Sequence, residues 1–208
     1  MPVTATAYTY DELSDDAKKT AIEKCRDWHV DGTSWWEYVY EWYKDEILPE
    51  QGFEVKETRN GDAMYFSGFW SQGDGASFAA GVNVRQFLKA NKLSNEFRSL
   101  YYWSDPDFGY AYANISQNGH HYSHEMTMNI ETEWTGDWHE DADNSPAVNQ
   151  LDELESIILE KARELARKLY RHLEEEYESL TSDESLDEYF TDCDHIHFWS
   201  NGHPAHFA

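Results

Sequence analysis

One amphipathic pattern in the last third of the chain constrains the fold more than any other feature. It predicts a long helix with a single apolar face, because apolar residues recur at a spacing close to 3.6. We expect this helix to lie across a sheet that covers its apolar face. The residues that carry the pattern are Leu151, Leu154, Ile158, Leu165, Leu169, Leu173, Tyr177 and Leu180.

The segment before this helix has the pattern of β-strands. Two Asn-Gly turns, at residues 60–61 and 118–119, are strong hairpin signals. The strand at 64–70 is predicted to return along the strand at 53–56, and Met126, Met128 and Ile130 are expected on one face of a later strand. A short helix is expected near residues 84–91. Strands are predicted at residues 53–56, 64–70, 76–79, 110–117 and 121–134.

Two helices are predicted near the N-terminus. The hydroxyl of Ser14 is a predicted N-cap, followed by two carboxylates at the positive end of a helix that runs to about Trp28. A capping box formed by Ser34 and Glu37 predicts a second helix, from Trp35 to Leu48, which ends before Pro49. Aromatic residues cover more than one face of this second helix, so it is expected either to be sandwiched or to present aromatics to a partner.

These elements predict an α+β fold: a central antiparallel sheet of five or six strands, two N-terminal helices and a long C-terminal amphipathic helix. At 208 residues the chain is long enough to bury its own core. We expect one domain over residues 1–208, helical over 1–50 and mainly β over 51–135. It is expected to be helical again over 146–190, and residues 193–208 to form a terminal hairpin.

The charge of the chain limits the partners that it can bind. It has 41 acidic and 16 basic side chains, a net charge of −25, with 20 acidic and 5 basic residues between Glu131 and Asp192. Such a surface repels nucleic acid and anionic membranes and favours basic partners. The acidic residues expected to contact a basic partner are Glu140, Asp141, Asp143, Glu174, Glu175, Glu176, Glu178, Asp183 and Glu184.

Aromatic residues make up 16% of the chain, which indicates a folded protein, since disordered acidic chains have few aromatics. Trp35, Trp36, Trp42 and Trp70 are the predicted aromatic anchors of a partner interface.

Cys25 and Cys193 show no metal-binding or disulfide spacing, and no apolar run is long enough to span a membrane. We therefore expect a cytoplasmic protein.

The stretch FSGFWSQGDGASF, residues 66–78, has two interpretations. It lacks the lysine of a Walker loop and the strand-to-helix context of a dinucleotide site. The first interpretation is a hairpin whose glycines permit positive φ and whose Asp74 forms the turn. The alternative is a ligand site in which Trp70 is an aromatic anchor and Ser71, Gln72 and Asp74 supply polar contacts.

Two clusters of histidines suggest a metal site, since histidine is a common zinc ligand. Alternating polar residues on an exposed hairpin, however, more often form its solvated face. Pairs of carboxylates are common in so acidic a chain and are weak evidence for catalysis. We predict no metal, no cofactor and no enzymatic activity. The candidate metal ligands considered are His120, His121 and His124 in one group and Cys193, Asp194, His195, His197, His203 and His206 in another.

Several blocks resemble a family of small proteins common in bacteriophage and prophage genomes. They are YTYDELSDDAKK near the start, FSGFWSQGDGASF in the middle and LEEEYESLTSDESL towards the end. The resemblance implies a bacterial or phage setting and an accessory role, such as managing host defences. It implies no catalytic residue, because no activity is attached to the family.

Three functions follow as expectations. The first is a phage-encoded inhibitor or decoy that binds the basic, nucleic-acid-binding surface of a host defence protein, since spaced carboxylates resemble a phosphate backbone. The second is a module that sequesters a nucleotide-like ligand at the SQGDG block, because bases stack on aromatic rings. The third is a structural homo-oligomer formed through the aromatic second helix.

Overall fold

The computed structural model describes residues 6–59, 61–105, 111–117, 123–134 and 146–205. The fold is α+β, as the sequence predicts. The chain divides into two compact units. Unit 1 comprises Met1–Trp36 and Glu174–Ala208, and unit 2 comprises Glu37–Leu173. The single-domain organisation stays a prediction, and the two units are described separately.

Helix α1 of unit 1, Asp15–Lys24, begins as predicted. The Ser14 hydroxyl accepts a hydrogen bond from the Ala17 N–H at 3.4 Å. The helix ends at Lys24, four residues before the predicted end at Trp28. The reason is that the chain continues in tighter turns, with the Trp28 N–H donating to the Cys25 carbonyl and the Val30 N–H to that of Asp27.

The core of unit 1 is built from α1, the preceding turn and the C-terminal part of the chain. Tyr10 lies between Phe190 and Phe198, with ring centroids 5.3 and 5.9 Å away. The predicted terminal hairpin is reduced to isolated antiparallel bridges of Phe198 with Tyr8 and Pro204. The buried residues of this core are Tyr10, Leu13, Ala17, Ala21, Cys25, Leu186, Phe190 and Phe198.

Unit 2 begins with a helix that changes its winding. Helix α2, Glu37–Trp42, continues as a π-helical turn, Tyr43–Ile47, and then as α3, Leu48–Glu50. It therefore starts two residues later than predicted and does not stop before Pro49. The proline is accommodated because it stands in the first turn of α3, where a missing N–H costs little.

The described strands of unit 2 form three antiparallel sheets. The main sheet has the order β1-β6-β7-β8, and two separate hairpins pair β2 with β3 and β4 with β5. The strands are β1 (Phe53–Val55), β2 (Glu57–Thr58), β3 (Gly61–Asp62), β4 (Met64–Ser67), β5 (Gly75–Phe78), β6 (Ala80–Val82), β7 (Ala111–Gln117) and β8 (Met128–Trp134).

Two strand predictions are wrong in detail. The strand that begins at Met64 pairs with β5, and the partner of β1 is β6, with Phe53 opposite Val82. The strand predicted at 121–134 is confirmed from Met128 to Trp134, and residues 121–122 lie outside the described residues. This strand is preceded by a 3₁₀ turn, Glu125–Thr127, in which the His124 side chain accepts the Met126 N–H. Met126 is consequently exposed, whereas Met128 is buried.

Two short helices stand between β6 and β7. Helix α4, Val84–Ala90, confirms the short helix expected there, and the Asn83 side chain caps it by accepting the Gln86 N–H at 3.0 Å. Helix α5, Arg98–Trp103, was not predicted.

Helix α6, Pro146–Leu180, is the long helix that the sequence predicts. Its residues up to Leu173 belong to unit 2 and the remainder to unit 1. In unit 2 it is tied to β8, because the Thr132 hydroxyl donates to the Glu155 carboxylate at 3.0 Å and Arg163 donates to the Met128 carbonyl at 3.4 Å. Helix α7, Asp183–Asp192, follows it. Among the described residues no helix is both long and apolar enough to span a membrane.

Candidate partner-binding surfaces

The most acidic part of the molecule is residues 174–194, the acidic segment. It contains ten carboxylates and no lysine or arginine, and it consists of the last two turns of α6 followed by α7. Carboxylates near a helix C-terminus are unfavourable because the helix dipole already places negative charge there. The composition at the end of α6 is therefore not one that maximises helix stability.

Few of these carboxylates are neutralised by a neighbour. Asp183 pairs with Arg26 at 2.7 Å. Asp187 accepts a hydrogen bond from the Tyr10 hydroxyl at 2.7 Å, which leaves its charge in place. Within the described ranges, five of the predicted contact residues form no ion pair: Glu174, Glu175, Glu176, Glu178 and Glu184. The negative field of this segment is therefore largely uncompensated locally.

The acidic charge is concentrated in unit 1. Unit 1 carries 17 acidic and 4 basic side chains, a net charge of −13, and the much longer unit 2 carries 24 and 12, a net charge of −12. The remaining predicted contact residues, Glu140, Asp141 and Asp143, lie outside the described residues.

Three of the four predicted anchor tryptophans are occupied in packing. Trp35 is half-buried, with ring centroids 5.8 Å from Trp36 and 5.7 Å from Tyr177. Trp42 is also half-buried and lies 5.0 Å from the His172 ring, whose Nδ1 is 2.8 Å from the Tyr43 hydroxyl. The burial of these rings gives each of them a structural role.

Trp70 differs from the other three because its side chain is 67% exposed. It stands in the loop of the β4–β5 hairpin, residues 68–74, which we call the Trp70 loop. The pairing of Ser67 with Gly75 at its base confirms the hairpin interpretation of the FSGFWSQGDGASF stretch. The ligand-site interpretation stays a prediction.

Hydrogen bonds within the Trp70 loop fix its shape. The Asp74 carboxylate accepts the Ser71 N–H at 2.7 Å, and the Asp74 N–H donates to the Ser71 carbonyl at 3.1 Å. Asp74 is thus used to form the turn, as the hairpin interpretation requires. The other two predicted polar contacts, Ser71 and Gln72, are exposed.

The base of the loop is covered by a segment that sequence reasoning did not connect with it. The Ser67 hydroxyl donates to the Ser123 carbonyl at 3.1 Å and accepts the Ser123 N–H at 3.2 Å. The buried Gly75 leaves room for His124, which lies directly over it. The glycine at the start of the strand after the turn, Gly75, is the one sequence signal that could have suggested this close approach.

An open cleft of about 700 Å³ lies in unit 2 beside α4. Two basic residues line it, Arg85 and Lys89. Arg85 pairs with Asp105 and lies over the Tyr101 ring, 4.7 Å from its centroid. Arg85 is therefore already engaged by a carboxylate and an aromatic ring, which weakens the cleft as a phosphate site. The cleft is lined by Glu50, Asn83, Arg85, Gln86, Lys89, Ala90 and Asp105.

The histidines do not assemble into a site within the part of the chain that is described. No group of three or more His, Cys, Asp or Glu side chains there has the arrangement to hold a metal ion. His195 and His203 are exposed and His197 is half-buried. His120, His121 and His206 lie outside the described residues.

Comparisons with known proteins identify a family but no characterised relative. Neither the curated proteins nor the solved structures contain a match to this chain. The model of one family, described as "Domain of unknown function (DUF8835)", matches residues 35–183. The match covers more than half of the chain, including the whole of unit 2. The chain therefore belongs to the DUF8835 family.

Proposed function

We propose that the chain is a phage- or prophage-encoded, non-enzymatic inhibitor or decoy, which binds the basic surface of a nucleic-acid-binding host defence protein. The observation that carries this proposal is the acidic segment, with ten carboxylates and no basic residue. The setting is the cytoplasm of the host bacterial cell. The phage setting is supported by the sequence blocks that resemble phage proteins.

The physical argument begins with the placement of the carboxylates on helices. Helical backbone holds the charges of α6 and α7 at regular spacing, so they need little ordering when a partner binds. A cationic groove that normally neutralises phosphates would be attracted by the same field. Such attraction accelerates association and weakens as salt rises.

Among the described acidic residues predicted to contact the partner, the five without ion pairs are expected to contribute most to binding. A carboxylate that already has a cationic partner must lose that partner, or share it, before it binds another cation. Asp183, which pairs with Arg26, is therefore expected to contribute less than Glu175, Glu178 or Glu184.

A charge-neutralised variant tests the proposal against a matched control. The variant changes Glu174, Glu175, Glu178 and Glu184 to Gln, and the control changes four exposed acids of unit 2, Glu54, Glu131, Glu133 and Glu153, to Gln. Both remove four charges. Each protein is immobilised, exposed to nuclease-treated bacterial lysate and eluted with a salt gradient.

We expect the unit 2 control to retain the bacterial proteins that the wild-type chain captures and the acidic-segment variant to release them at much lower salt. Equal retention by all three proteins would contradict the proposal. An equal loss in both variants would contradict it too, because net charge alone would then explain capture.

The exposure of Trp70 supports a second candidate function, the sequestration of a nucleotide-like ligand. An exposed indole can stack on a base. The Asp74 carboxylate is engaged within the loop, however, and the net charge of −25 opposes a phosphate. Quenching of tryptophan fluorescence by a panel of nucleotides, lost in Trp70→Ala, is the result that this candidate requires.

A further inference from the structure

The backbone of Trp70 has a conformation that tryptophan rarely adopts. Its φ is +68°, in the left-handed region that favours glycine. A residue held there costs free energy, and such strained residues cluster at functional sites. The strained residue is also a large apolar side chain that is 67% exposed. Neither the left-handed backbone nor the exposed indole stabilises the fold. Trp70 is therefore a candidate for a contact with another molecule.

The ring next to Trp70 anchors the loop in an aromatic stack. The Phe69 ring is stacked on Phe66 at 5.8 Å and contacts Tyr170 of α6 at 5.5 Å. Phe66 in turn contacts Tyr40 of α2 at 6.5 Å. The Phe69 and Trp70 centroids are 5.7 Å apart. The loop that carries Trp70 is therefore held by the ring contacts of Phe69 and by the hydrogen bonds of Asp74 within the loop.

The net charge of unit 2 favours a cation as the group that Trp70 binds. Unit 2 has a net charge of −12. Helix α2, which supplies Tyr40, exposes Glu37 and Glu41, and helix α6, which supplies Tyr170, exposes Arg171. An aromatic face attracts a cation through its quadrupole, and tryptophan does so best among the aromatic residues. A net negative charge increases the concentration of cationic groups at the surface and lowers that of anions.

We propose that Trp70 binds an arginine side chain on the basic surface of the partner, with the guanidinium stacked on the indole. The proposal rests on the proposed function for the nature of the partner and names the contact that unit 2 makes. Arginine fits better than lysine, because its guanidinium is planar, stacks on aromatic faces and is more weakly hydrated. Arginine is also a residue on which nucleic-acid-binding surfaces depend.

Two labelled peptides of equal charge test the contact. Both have nine residues and a charge of +5, one with arginines and the other with lysines at the same positions. Their binding is measured by fluorescence anisotropy at low and at physiological salt. The proteins are the wild type, Trp70→Ala, Trp70→Phe and the control Trp103→Ala, which removes a tryptophan that is 40% exposed on α5. Circular dichroism establishes that each variant is folded.

We expect the wild type to bind the arginine peptide more tightly than the lysine peptide. Trp70→Ala should lose about tenfold in affinity for the arginine peptide and much less for the lysine peptide. Trp70→Phe should lie in between, since phenylalanine has a weaker ring quadrupole. Trp103→Ala should bind both peptides as the wild type does.

Three outcomes would overturn the inference. If Trp70→Ala binds the arginine peptide as tightly as the wild type, the stacking contact is absent while the acidic-segment proposal stands on its own experiment. If neither peptide binds the wild type at low salt, the inference and the proposed function both fail. If Trp70→Ala keeps the affinity of the wild type for the arginine peptide but loses binding to a labelled single-stranded oligonucleotide, the loop binds bases and not arginine.

Discussion

Gly75 and His124 approach each other so closely that no side chain fits between them. A Cβ on Gly75 would lie 2.8 Å from Cδ2 of His124 and 3.0 Å from its Cα. The segment that carries Ser123 and His124 therefore sits directly on the β4–β5 hairpin, and the last glycine of the SQGDG block is a packing requirement.

The first prediction concerns this contact. Gly75→Ala should lower the free energy of unfolding by about 1–3 kcal/mol, as inserted methyl groups do in a tightly packed interior. Chemical denaturation measures it. Gly81→Ala is the control, because a Cβ there has no heavy atom within 4 Å. If both substitutions cost the same, the close approach to His124 is not the cause.

A second prediction concerns the C-terminal segment of unit 1. Gly202 has a φ of +83°, and a Cβ on it would overlap the Ala17 carbonyl oxygen. Gly202→Ala should therefore displace residues around Phe198 from α1 and make the C-terminal segment sensitive to limited proteolysis.

Gly32→Ala separates strain from overlap in that experiment. Gly32 has a φ of +67° but nothing within 4 Å of its Cβ position. Gly32→Ala should therefore lower the free energy of unfolding only by the strain of a left-handed alanine, about 1 kcal/mol. Equal protease sensitivity in both variants would show that the contact with Ala17 is unimportant.

The third prediction follows from the strain at Trp70. Trp70→Gly should leave the melting temperature unchanged or raise it, because glycine relieves a left-handed conformation that costs about 1–2 kcal/mol. Trp103→Gly, at the last residue of α5, should instead lower stability, because it removes a ring that is only 40% exposed and packs against Tyr102, with centroids 5.2 Å apart. A large loss of stability in Trp70→Gly would mean that the indole is needed for the fold.

The fourth prediction is a dependence of stability on pH. Burial raises the pKa of the Cys25 thiol to about 11, from 9.0 for an ordinary thiol. Between these values the unfolded chain loses the proton and the folded chain keeps it, so the stabilisation is complete below pH 9 and is lost as pH rises towards 11.

Denaturation at several pH values between 8.5 and 10 measures this effect. Burial also raises the pKa values of Tyr10, Tyr40, Tyr177 and Tyr189, but the wild type and Cys25→Ala both contain these tyrosines, so their contribution cancels in the difference between the two slopes. Cys25→Ala should be less stable at every pH, since it leaves a cavity, but its stability should fall less steeply. The same slope in both proteins would contradict the assignment.

The features that the sequence predicts well are local ones. The N-cap at Ser14 depends on a few neighbouring residues, and the buried positions of α6 depend on a repeat sustained over many turns. The Gly73-Asp74-Gly75 turn is also local, because Asp74 bonds to Ser71 within the same loop. Such features follow from backbone geometry and need no knowledge of the rest of the chain.

The features that the sequence predicts poorly depend on contacts between residues far apart in the chain. Nothing in residues 64–67 shows that β4 pairs with β5 while β1 pairs with β6, because alternation is the same for either partner. The left-handed Trp70 and the contact of His124 with Gly75 are set by packing between segments. In the same way, sequence alone could not distinguish the exposed Trp70 from Trp35, Trp36 and Trp42.

The central claim is that the acidic segment occupies a surface that otherwise binds nucleic acid. The most direct test immobilises the wild-type chain, captures protein from nuclease-treated bacterial lysate and adds duplex DNA at constant salt. We predict that the DNA displaces the captured protein at concentrations where an uncharged polymer does not, because both compete for one cationic groove. If the captured protein binds the immobilised chain and the duplex at the same time, the two do not share a surface, and the account is wrong.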